Sequence, residues 1–303
     1  MRATISDEQF TTLEAQYTQQ QTDALALLNQ PPRELPILVD AARNPQGVLL
    51  LGTGSSHHIN RAVEPLYRSI GIHTHATPIT ELLASPLGNW SGTVFVTSQS
   101  GDSIELKQYL SQPSVVLERH YGLTLNPHGF LAQHLPCQIA PGGPELGLVA
   151  TRGFLLGVLL HLHILRQLGL EDAHLHAVLN RPPPNPPTAM LEALSAAPVV
   201  FFVTSGALQG VAEYAAVFLM ELTRKPCFAI SLAQYEQSAF AQSAEVCVVH
   251  LVNPPEAQTN ATNRQHLTLG AALSLETVPA AVMVAQILNV QHILLQTAKE
   301  STP

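Results

Sequence analysis

The sequence has few charged residues, few aromatic residues and no basic run. Charged residues make up 12% of its 303 positions, aromatic residues 5%, and the formal net charge is −8. Without clustered lysines and arginines, the chain has nothing with which to neutralise a nucleic-acid backbone or an anionic membrane surface. We therefore expect no nucleic acid and no membrane as a partner. A localised anion site is not excluded, since a few backbone amides and hydroxyls suffice to form one.

Cysteine is also scarce. Cys137, Cys227 and Cys247 are widely spaced and form no CxxC or Cys/His ligand pattern, so we expect reduced, buried thiols. The histidines have no acidic or cysteine partners beside them, and no metal site is expected. The polar N-terminus is unlike a secretory signal and no apolar run reaches membrane-spanning length, so the predicted compartment is the cytoplasm.

A short apolar strand that ends in hydroxyl-bearing residues is the main functional signal. Residues 94–97 (Val-Phe-Val-Thr) are typical of a buried strand, residues 98–103 (Ser-Gln-Ser-Gly-Asp-Ser) follow, and a helical run begins at Ile104. Hydroxyls and the first amides of a helix can hold an anion. The segment lacks the lysine of the nucleotide-hydrolase phosphate loop, which favours a monoester phosphate. An ordinary strand-to-helix turn with a serine N-cap is the alternative.

The first half of the chain alternates strand and helix patterns. This alternation predicts an α/β fold with a doubly wound parallel sheet, in which ligands bind beyond the carboxyl ends of the strands. A second hydroxyl-bearing turn, Thr53-Gly54-Ser55-Ser56, follows the apolar run at 47–52 and lies at the same edge. The further predicted strands are 72–76, 121–125 and 136–141, and the predicted helices are 5–29, 38–43, 59–70, 104–110 and 148–168.

The proline-rich run at 181–187 is the clearest linker in the chain. Beyond it the pattern restarts, but the first turn has fewer hydroxyls than its counterpart in the first half. Strands are predicted at 199–203, 227–230 and 246–251, and a loop at 253–264. Helices are predicted after the turn at 204–206 through Glu221 and over 278–296. We predict an N-terminal helical segment (1–34), a first sub-domain that binds phosphate (35–180), the linker (181–187) and a second sub-domain (188–303).

Three segments resemble the double sugar-isomerase (SIS) domain family: Gly52–Ser56, Ser98–Ser103 and Gly143–Arg152. The chain is similar, from about residue 35 onward, to the isomerase half of glucosamine-6-phosphate synthase and to phosphosugar deglycases. The resemblance implies two SIS sub-domains of three-layer α-β-α architecture. It also implies a hexose or amino-hexose 6-phosphate as ligand, no cofactor, and a homodimer with active sites between its subunits. The glutaminase domain of the synthase has no counterpart, so glutamine hydrolysis is not implied.

The resemblance also assigns binding residues by position. The residues implied to hold the sugar phosphate are Ser98, Gln99, Ser100 and Ser103. The residues implied to contact the sugar or shape its pocket are Ser55, Ser56, Glu145, Leu148, Val149 and Gln237.

The match is uneven at the catalytic positions. Glu221 falls where the family has the base that moves a proton between C1 and C2, and burial can raise a carboxylate pKa towards such work. A solvent-facing glutamate is the alternative. Gln237 replaces a ring-opening histidine lent by the neighbouring subunit, and glutamine cannot shuttle a proton. Phe218 replaces a family lysine. Lys299 lies one position away from where the family has a second lysine, near the C-terminus. It is either a substrate contact or a solvated tail residue.

Two functions are consistent with these observations. One is a phosphosugar enzyme, either an aldose–ketose isomerase or an amino-sugar phosphate deaminase or deglycase, that acts through an enediol or enediolamine without a cofactor. The other is a sugar-phosphate-binding sensor or regulator without turnover.

Overall fold

The computed structural model describes residues 6–86, 88, 90–147, 149–204, 206–238, 246–252, 266–270 and 279–300. The chain folds as an α/β protein whose helices pack on two parallel sheets, which confirms the predicted fold class. The helices are α1 (Asp7–Asn29), α2 (Leu35–Ala42), α3 (Ser55–Ser69), α4 (Ile79–Ala84), α5 (Ile104–Leu110), α6 (Phe130–His134), α7 (Arg152–Gln167), α8 (Leu175–Leu179), α9 (Thr188–Ala196), α10 (Gln209–Thr223), α11 (Leu232–Glu236) and α12 (Pro279–Glu300). The strands are β1 (Val48–Gly52), β2 (Thr74–Pro78), β3 (Thr93–Thr97), β4 (His120–Thr124), β5 (Cys137–Ile139), β6 (Val199–Thr204), β7 (Cys227–Ser231), β8 (Val246–Val252) and β9 (His266–Gly270).

The chain divides into two compact units, each of which contains one sheet. The first unit comprises Ala15–Leu146 and Ala150–Asp172, and the second comprises Met1–Glu14, Gly147–Val149 and Ala173–Pro303. The predicted separation of two sub-domains by a linker at 181–187 stays a prediction.

The sheet of the first unit has the strand order β2-β1-β3-β4-β5, and all its pairs are parallel. The chain crosses from β1 to β2 on one side and then returns to β3 on the other. The helices that follow β1 and β3 pack on opposite faces of the sheet. In folds of this kind a crevice forms at the carboxyl ends of these two strands. The pairing of Leu51 with Val96 brings the ends of β1 and β3 side by side. The two predicted hydroxyl-bearing turns therefore begin at one crevice.

Both faces of the first sheet are covered. Every residue of β1 and of β3 is buried, as expected for central parallel strands. On one face Leu49 and Val94 belong to a core cluster with residues of α4, α5 and α6. On the other face Phe95 lies against Tyr67 of α3 and His161 of α7, with ring centroids 6.4 and 6.5 Å apart. Burial on both faces fixes the positions of the loops that leave these strands.

The sheet of the second unit has the parallel order β7-β6-β8-β9, the same order as the first four strands of the first sheet. Helices α10 and α12 pack against each other in this unit. Phe201, Val203 and Val248 form a buried cluster with Tyr235 of α11. Strand β9 was not predicted from the sequence, because it is short and comes after a long polar stretch. The loop predicted at 253–264 lies outside the described residues.

Helix α12 is apolar over most of its length. Among the described residues, its segment Pro279–Lys299 is long and apolar enough to span a membrane by length and composition. However, 83% of the most apolar window is buried inside the protein. Such burial is expected of a core helix.

Two further features bear on the sequence predictions. Helix α3 begins at Ser55 and not at the predicted Ile59, because Gly54 has a φ of 55° and its carbonyl already accepts the amide of His58. The three cysteines are free and buried, which confirms that prediction, and burial raises the pKa of each thiol to about 12.

Candidate functional site

The loops that leave β1 and β3 contact each other at the crevice. The backbone amide of Gln99 lies 3.4 Å from Ser56 Oγ, which accepts its hydrogen bond. Gly52 makes this packing feasible, because a Cβ atom there would lie 2.7 Å from the carbonyl carbon of Ser56. Ser56 is buried, whereas Ser55 is half-buried at the start of α3. The first turn of α3 thus lies directly on the end of the strand.

The serines of loop 98–103 accept hydrogen bonds from nearby backbone amides. Ser98 Oγ accepts from Gly101 (3.1 Å), Ser100 Oγ from Asp102 (3.3 Å), and Ser103 Oγ caps α5 by accepting from Leu106 (3.4 Å). A hydroxyl that accepts in this way still has its own hydrogen to donate. The loop therefore offers hydroxyl donors, which suit an anionic ligand. Ser98 is buried and Ser100 is exposed.

A turn after β4 supports this loop from behind. Asn126 Nδ2 donates to the carbonyl of Ser100 (2.8 Å) and to Asp102 Oδ2 (3.3 Å). Asp102 Oδ1 accepts from the amide of Phe130 (3.2 Å) and pairs with Lys107 (3.0 Å), and these bonds lower the pKa of the Asp102 carboxyl. Together these contacts hold the loop backbone in place. Asn126 was not predicted as a site residue, although an Asn-Pro pair after a strand is a recognised turn signal.

Glycine at 101 is required by the shape of the loop. Its φ is 67°, in the left-handed region that disfavours residues with a Cβ atom. A Cβ there would also lie 3.2 Å from Thr124 Oγ1.

Glu145 joins Gln99 to the start of α7. Its Oε1 accepts from the amides of Thr151 (2.9 Å) and Arg152 (3.0 Å), and its Oε2 accepts from the amide of Gly153 (2.8 Å) and from Gln99 Nε2 (3.1 Å). This carboxylate satisfies the first amides of the helix and lies where the helix dipole favours a negative charge. As a result α7 begins at Arg152 and not at the predicted residue 148.

The same contact constrains both Gly153 and Gln99. A Cβ at Gly153 would lie 2.6 Å from Gln99 Cδ and from Glu145 Oε2, so a side chain at this position would displace the contact between Gln99 and Glu145. Because the Gln99 amide nitrogen faces Glu145, its carbonyl oxygen is the part that can accept from a ligand. The predicted contact of Gln99 with phosphate stays a prediction.

Arg152 holds the turn that carries Glu145. Its guanidinium is buried and pairs with Asp23 of α1 (Nη1–Oδ2, 2.9 Å), and it donates to the carbonyls of Pro141 (3.2 Å) and Gly143 (2.7 Å). Its Nε also donates to Gln16 (2.9 Å). A buried guanidinium of this kind is stable only because its N–H groups are satisfied. Helix α1 is therefore part of the support of the site.

A buried chain of side chains lies beneath loop 98–103. Thr97 Oγ1 donates to Asn60 Oδ1 (2.6 Å), so His161 Nε2, 2.9 Å away, must donate to Thr97. His161 Nδ1 then accepts from the hydroxyl of Tyr67 at 3.1 Å. Complete burial lowers the pKa of His161 to about 3 and raises that of Tyr67. The imidazole is therefore neutral, with Nε2 as a donor and Nδ1 as an acceptor. These hydrogen bonds hold Thr97, the residue just before Ser98, in place.

Two buried polar atoms near the crevice have no hydrogen-bond partner among the described residues. They are Thr53 Oγ1, in the turn after β1, and Asn60 Nδ2, one turn into α3. Because unpaired buried polar atoms are costly, such atoms point to a ligand or to water. Thr53 belongs to the predicted turn but was not predicted as a site residue.

The remaining predicted residues lie in the second unit or outside the described residues. Glu221 is half-buried in the last turn of α10, towards the amino ends of β6 and β7. Gln237 is exposed at the C-cap of α11, and Lys299 is exposed and paired with Glu14. Val149 is buried, and Leu148 lies outside the described residues.

The structure thus brings Ser56, Gln99, Glu145 and the loop 98–103 together within the first unit. Their assigned roles stay predictions. Within the part of the chain that the structure describes, no group of three or more His, Cys, Asp or Glu side chains could hold a metal ion.

No protein-family model and no curated protein matches the sequence. Solved structures match its fold. The chain is similar to the tagatose-6-phosphate ketose/aldose isomerase of Escherichia coli, with a TM-score of 0.74, 16% identity, and coverage of 97% of this chain and 92% of that one. It is similar to the glucosamine-6-phosphate deaminase of Thermotoga maritima, with a TM-score of 0.72, 16% identity, and coverage of 98% and 95%.

It is also similar to the C-terminal domain of glucosamine-fructose-6-phosphate aminotransferase from Francisella tularensis. The TM-score is 0.76, the identity is 13%, and the match covers 96% of each chain. At these identities the likeness shows the fold, a layered arrangement of helices on parallel sheets, and not the chemistry.

Proposed function

We propose that this protein is a double SIS-domain protein that binds a hexose or amino-hexose 6-phosphate at the crevice of the first unit. The observation that carries the proposal is the set of serine hydroxyls on loop 98–103, beside Ser56, at the topological switch point of the sheet. Three solved structures of similar fold are described as acting on 6-phosphosugars or their amino derivatives. Fold analogy alone is a weak guide to function, so the donor set gives the stronger support.

The phosphate would be held by neutral donors. The hydroxyls of Ser98, Ser100 and Ser103 can each donate to a phosphate oxygen, and Ser56 can contact the phosphate or the sugar. The cation near the loop, Lys107, is already paired with Asp102. Such a site suits one monoester phosphate better than a polyphosphate with its metal ion.

We propose that the bound sugar is processed through an enediol or enediolamine. Glu221 would remove the proton from C2 of the open-chain aldose, or from C1 of the ketose, and return it to the neighbouring carbon. This transfer needs no redox partner, since one C–H bond breaks and one forms while the carbonyl changes place. Isomerisation and loss of ammonia from an amino sugar can both proceed from the same kind of intermediate. We further propose that the protein works as a cytoplasmic homodimer.

The second candidate is a sensor that binds the sugar phosphate without turnover. The specific observation in its favour is Gln237, which stands where the family has its ring-opening histidine and is exposed in the structure. Phe218, fully buried, likewise replaces a family lysine. Under this hypothesis binding at loop 98–103 is retained and proton transfer is absent.

Thermal unfolding with added sugar phosphates tests binding. Glucose 6-phosphate, fructose 6-phosphate and glucosamine 6-phosphate are compared, and at a hundred times Kd the true ligand should raise Tm by roughly 5 °C or more. Ser100→Ala should lose most of this rise. Ser111→Ala, at the opposite end of α5, is the control. If none of the three sugars raises Tm, the site proposal is wrong.

Proton exchange in D2O tests catalysis. NMR should show deuterium entering C2 of the stabilising sugar phosphate, and Glu221→Gln should slow that exchange by about a hundredfold or more. Glu213→Gln, two turns earlier on α10, should leave it unchanged. Tight binding without exchange would favour the sensor and reject the enzyme.

A further inference from the structure

A second cavity lies at the other end of the first sheet, near the amino ends of β1, β3 and β4. Its volume is about 290 Å³, close to the lower limit for small-molecule pockets. Val94, the second residue of β3, lines it, whereas Ser98 of the candidate phosphate loop comes after the opposite end of the same strand. The cavity is therefore separate from the crevice described above.

The walls of this cavity are mainly apolar. They include the indole of Trp90 and the side chains of Leu82 and Val94. Trp90 is the only tryptophan in the sequence, and its Nε1 donates to the carbonyl of Thr93 at 3.4 Å. With its polar edge engaged in this way, the indole offers an apolar face to a flat ring.

One polar group of the cavity is a hydrogen-bond acceptor. His120 Nδ1 lies 2.8 Å from the carbonyl of Val116, which can only accept, so this nitrogen carries the hydrogen. Burial lowers the pKa of His120, so the ring is neutral and its Nε2 accepts. The hydroxyl of Tyr109, 3.0 Å from Nε2, must therefore donate to it. The lone pairs of the Tyr109 oxygen are left to accept a hydrogen bond from a ligand.

A second polar group is a cation at the rim. Arg119 lines the cavity, and its Nη1 donates to the carbonyl of Trp90 at 3.2 Å. Its side chain is exposed, and its remaining N–H groups suit a carboxylate.

We propose that this cavity binds a small aromatic carboxylate that also carries a hydroxyl or N–H donor. The ring would lie against Trp90, the donor would reach the oxygen of Tyr109, and the carboxylate would pair with Arg119. The cavity is complementary to such a ligand, because it has an apolar wall, a hydrogen-bond acceptor fixed by its neighbours and a cation at the rim. The proposal does not depend on a sugar phosphate binding elsewhere.

Trp90 fluorescence provides the test, with 4-hydroxybenzoate as the probe. The full-length protein should show saturable quenching. Benzoate, which lacks the donor, and 4-hydroxybenzamide, which lacks the charge, should each bind about tenfold more weakly, a difference worth about 1.4 kcal/mol. Tyr109→Phe should abolish the preference over benzoate. Arg119→Gln should abolish the preference over 4-hydroxybenzamide.

The controls separate this site from others. Arg43→Gln, an exposed arginine outside the cavity, should retain both preferences, and Tm is recorded for each variant so that unfolding is recognised. The proposal is overturned if the wild-type protein shows no saturable change, or if both cavity variants keep wild-type preferences. It is also overturned if glucose 6-phosphate displaces the probe competitively.

Discussion

The two sheets share a strand order but differ in the turns at the carboxyl ends of their strands. In the first unit β1 is followed by Thr53-Gly54-Ser55-Ser56, whereas in the second unit β6 ends at Thr204 and is followed in the sequence by Ser205-Gly206-Ala207. The topology creates a crevice at the same place in each sheet. Only the first of these turns supplies two adjacent serines. The shared topology therefore gives the two units equivalent positions, and the residues of the turns distinguish the units.

The two sheets also differ in how they use a threonine hydroxyl at a strand end. In the first unit Thr97 belongs to the buried chain with Asn60, His161 and Tyr67. In the second unit Thr204 donates to the backbone carbonyl of Leu251 on the neighbouring strand, at 2.9 Å. A network of side chains fixes a more specific geometry than a single hydrogen bond from a side chain to a backbone carbonyl. Removing one member of such a network also reduces stability more, because its buried neighbours lose their partner. The first unit should therefore be the more sensitive to polar substitutions.

The largest expected effect is at Arg152. Arg152→Met leaves Asp23 buried without its partner and frees the turn at 141–143, so we expect the unfolding free energy to fall by about 3–5 kcal/mol. Urea denaturation measures this. Arg166→Met, at the other end of α7, removes a half-exposed pair with Asp172 (2.5 Å) and should cost less than about 1 kcal/mol. Equal losses in the two variants would contradict the structural importance of Arg152.

Acid should weaken the first unit before the second. Burial lowers the pKa of His161 to about 3 and of His163 to about 4, both below the ordinary 6.5. Below pH 6.5 the unfolded chain therefore binds protons that the folded chain does not. The stabilisation is complete above pH 6.5 and is lost as the pH falls towards 4, by about 2 kcal/mol for each histidine between pH 7 and pH 5.

Hydrogen exchange of peptides from β1 and β3, compared with β6 and β8, checks the acid prediction. His292 of the second unit also has a lowered pKa but is only half-buried. His161→Gln should reduce the pH dependence of protection in the first unit. Equal acid sensitivity of the two sheets would show that these histidines do not control it.

A smaller effect is expected at Asn126. Asn126→Ala removes the donor to the Ser100 carbonyl, so loop 98–103 should lose order and bind the proposed sugar-phosphate ligand about five- to tenfold more weakly. Calorimetric titration measures the affinity, and faster hydrogen exchange of residues 98–103 reports the loop directly. The matched control is Asn180→Ala in the second unit, which removes a 2.8 Å bond to a helix carbonyl. Unchanged affinity and exchange in Asn126→Ala would contradict the supporting role.

The smallest effect is expected at Thr204. Thr204→Val removes the bond to Leu251 and should cost about 1 kcal/mol in unfolding free energy, with no change in the thermal shift expected from the proposed sugar-phosphate ligand. Thr97→Val should cost more, because His161 and Asn60 then also lose a partner. If Thr204→Val reduced the ligand-induced shift, the second crevice would have to be part of the binding site.

Most of the fold could be predicted from the sequence because its signals are local. Short apolar runs such as 48–52 and 199–203 mark buried strands, and their alternation with helical patterns indicates parallel sheets. Strand β9 was not predicted, since five residues after a long polar stretch give little periodicity. The start of α3 was misplaced because Gly54 begins the helix through its positive φ, which a hydrophobic pattern does not show.

The hydroxyl-bearing turns of the site could be predicted, but their supporting residues could not. Asn126 lies more than twenty residues from Ser100 in the chain, and Arg152 meets Asp23 across a separation of 129 residues. Such pairings depend on how the helices pack against the sheet, and single-sequence patterns carry no signal for them. The orientation of Gln99 likewise depends on Glu145, which reaches it only after α7 has formed.

The contact between Asp23 and Arg152 also limits how the chain can be shortened. Helix α1 precedes the first strand and looks from the sequence like an extension that could be cut away at residue 35. Removing it would take away both Gln16 and Asp23, which accept hydrogen bonds from Arg152, and would uncover a guanidinium that is buried in the whole protein. The part of α1 from Gln16 onward is therefore integral to the first unit, and a fragment that starts at residue 35 should be markedly less stable than the full chain.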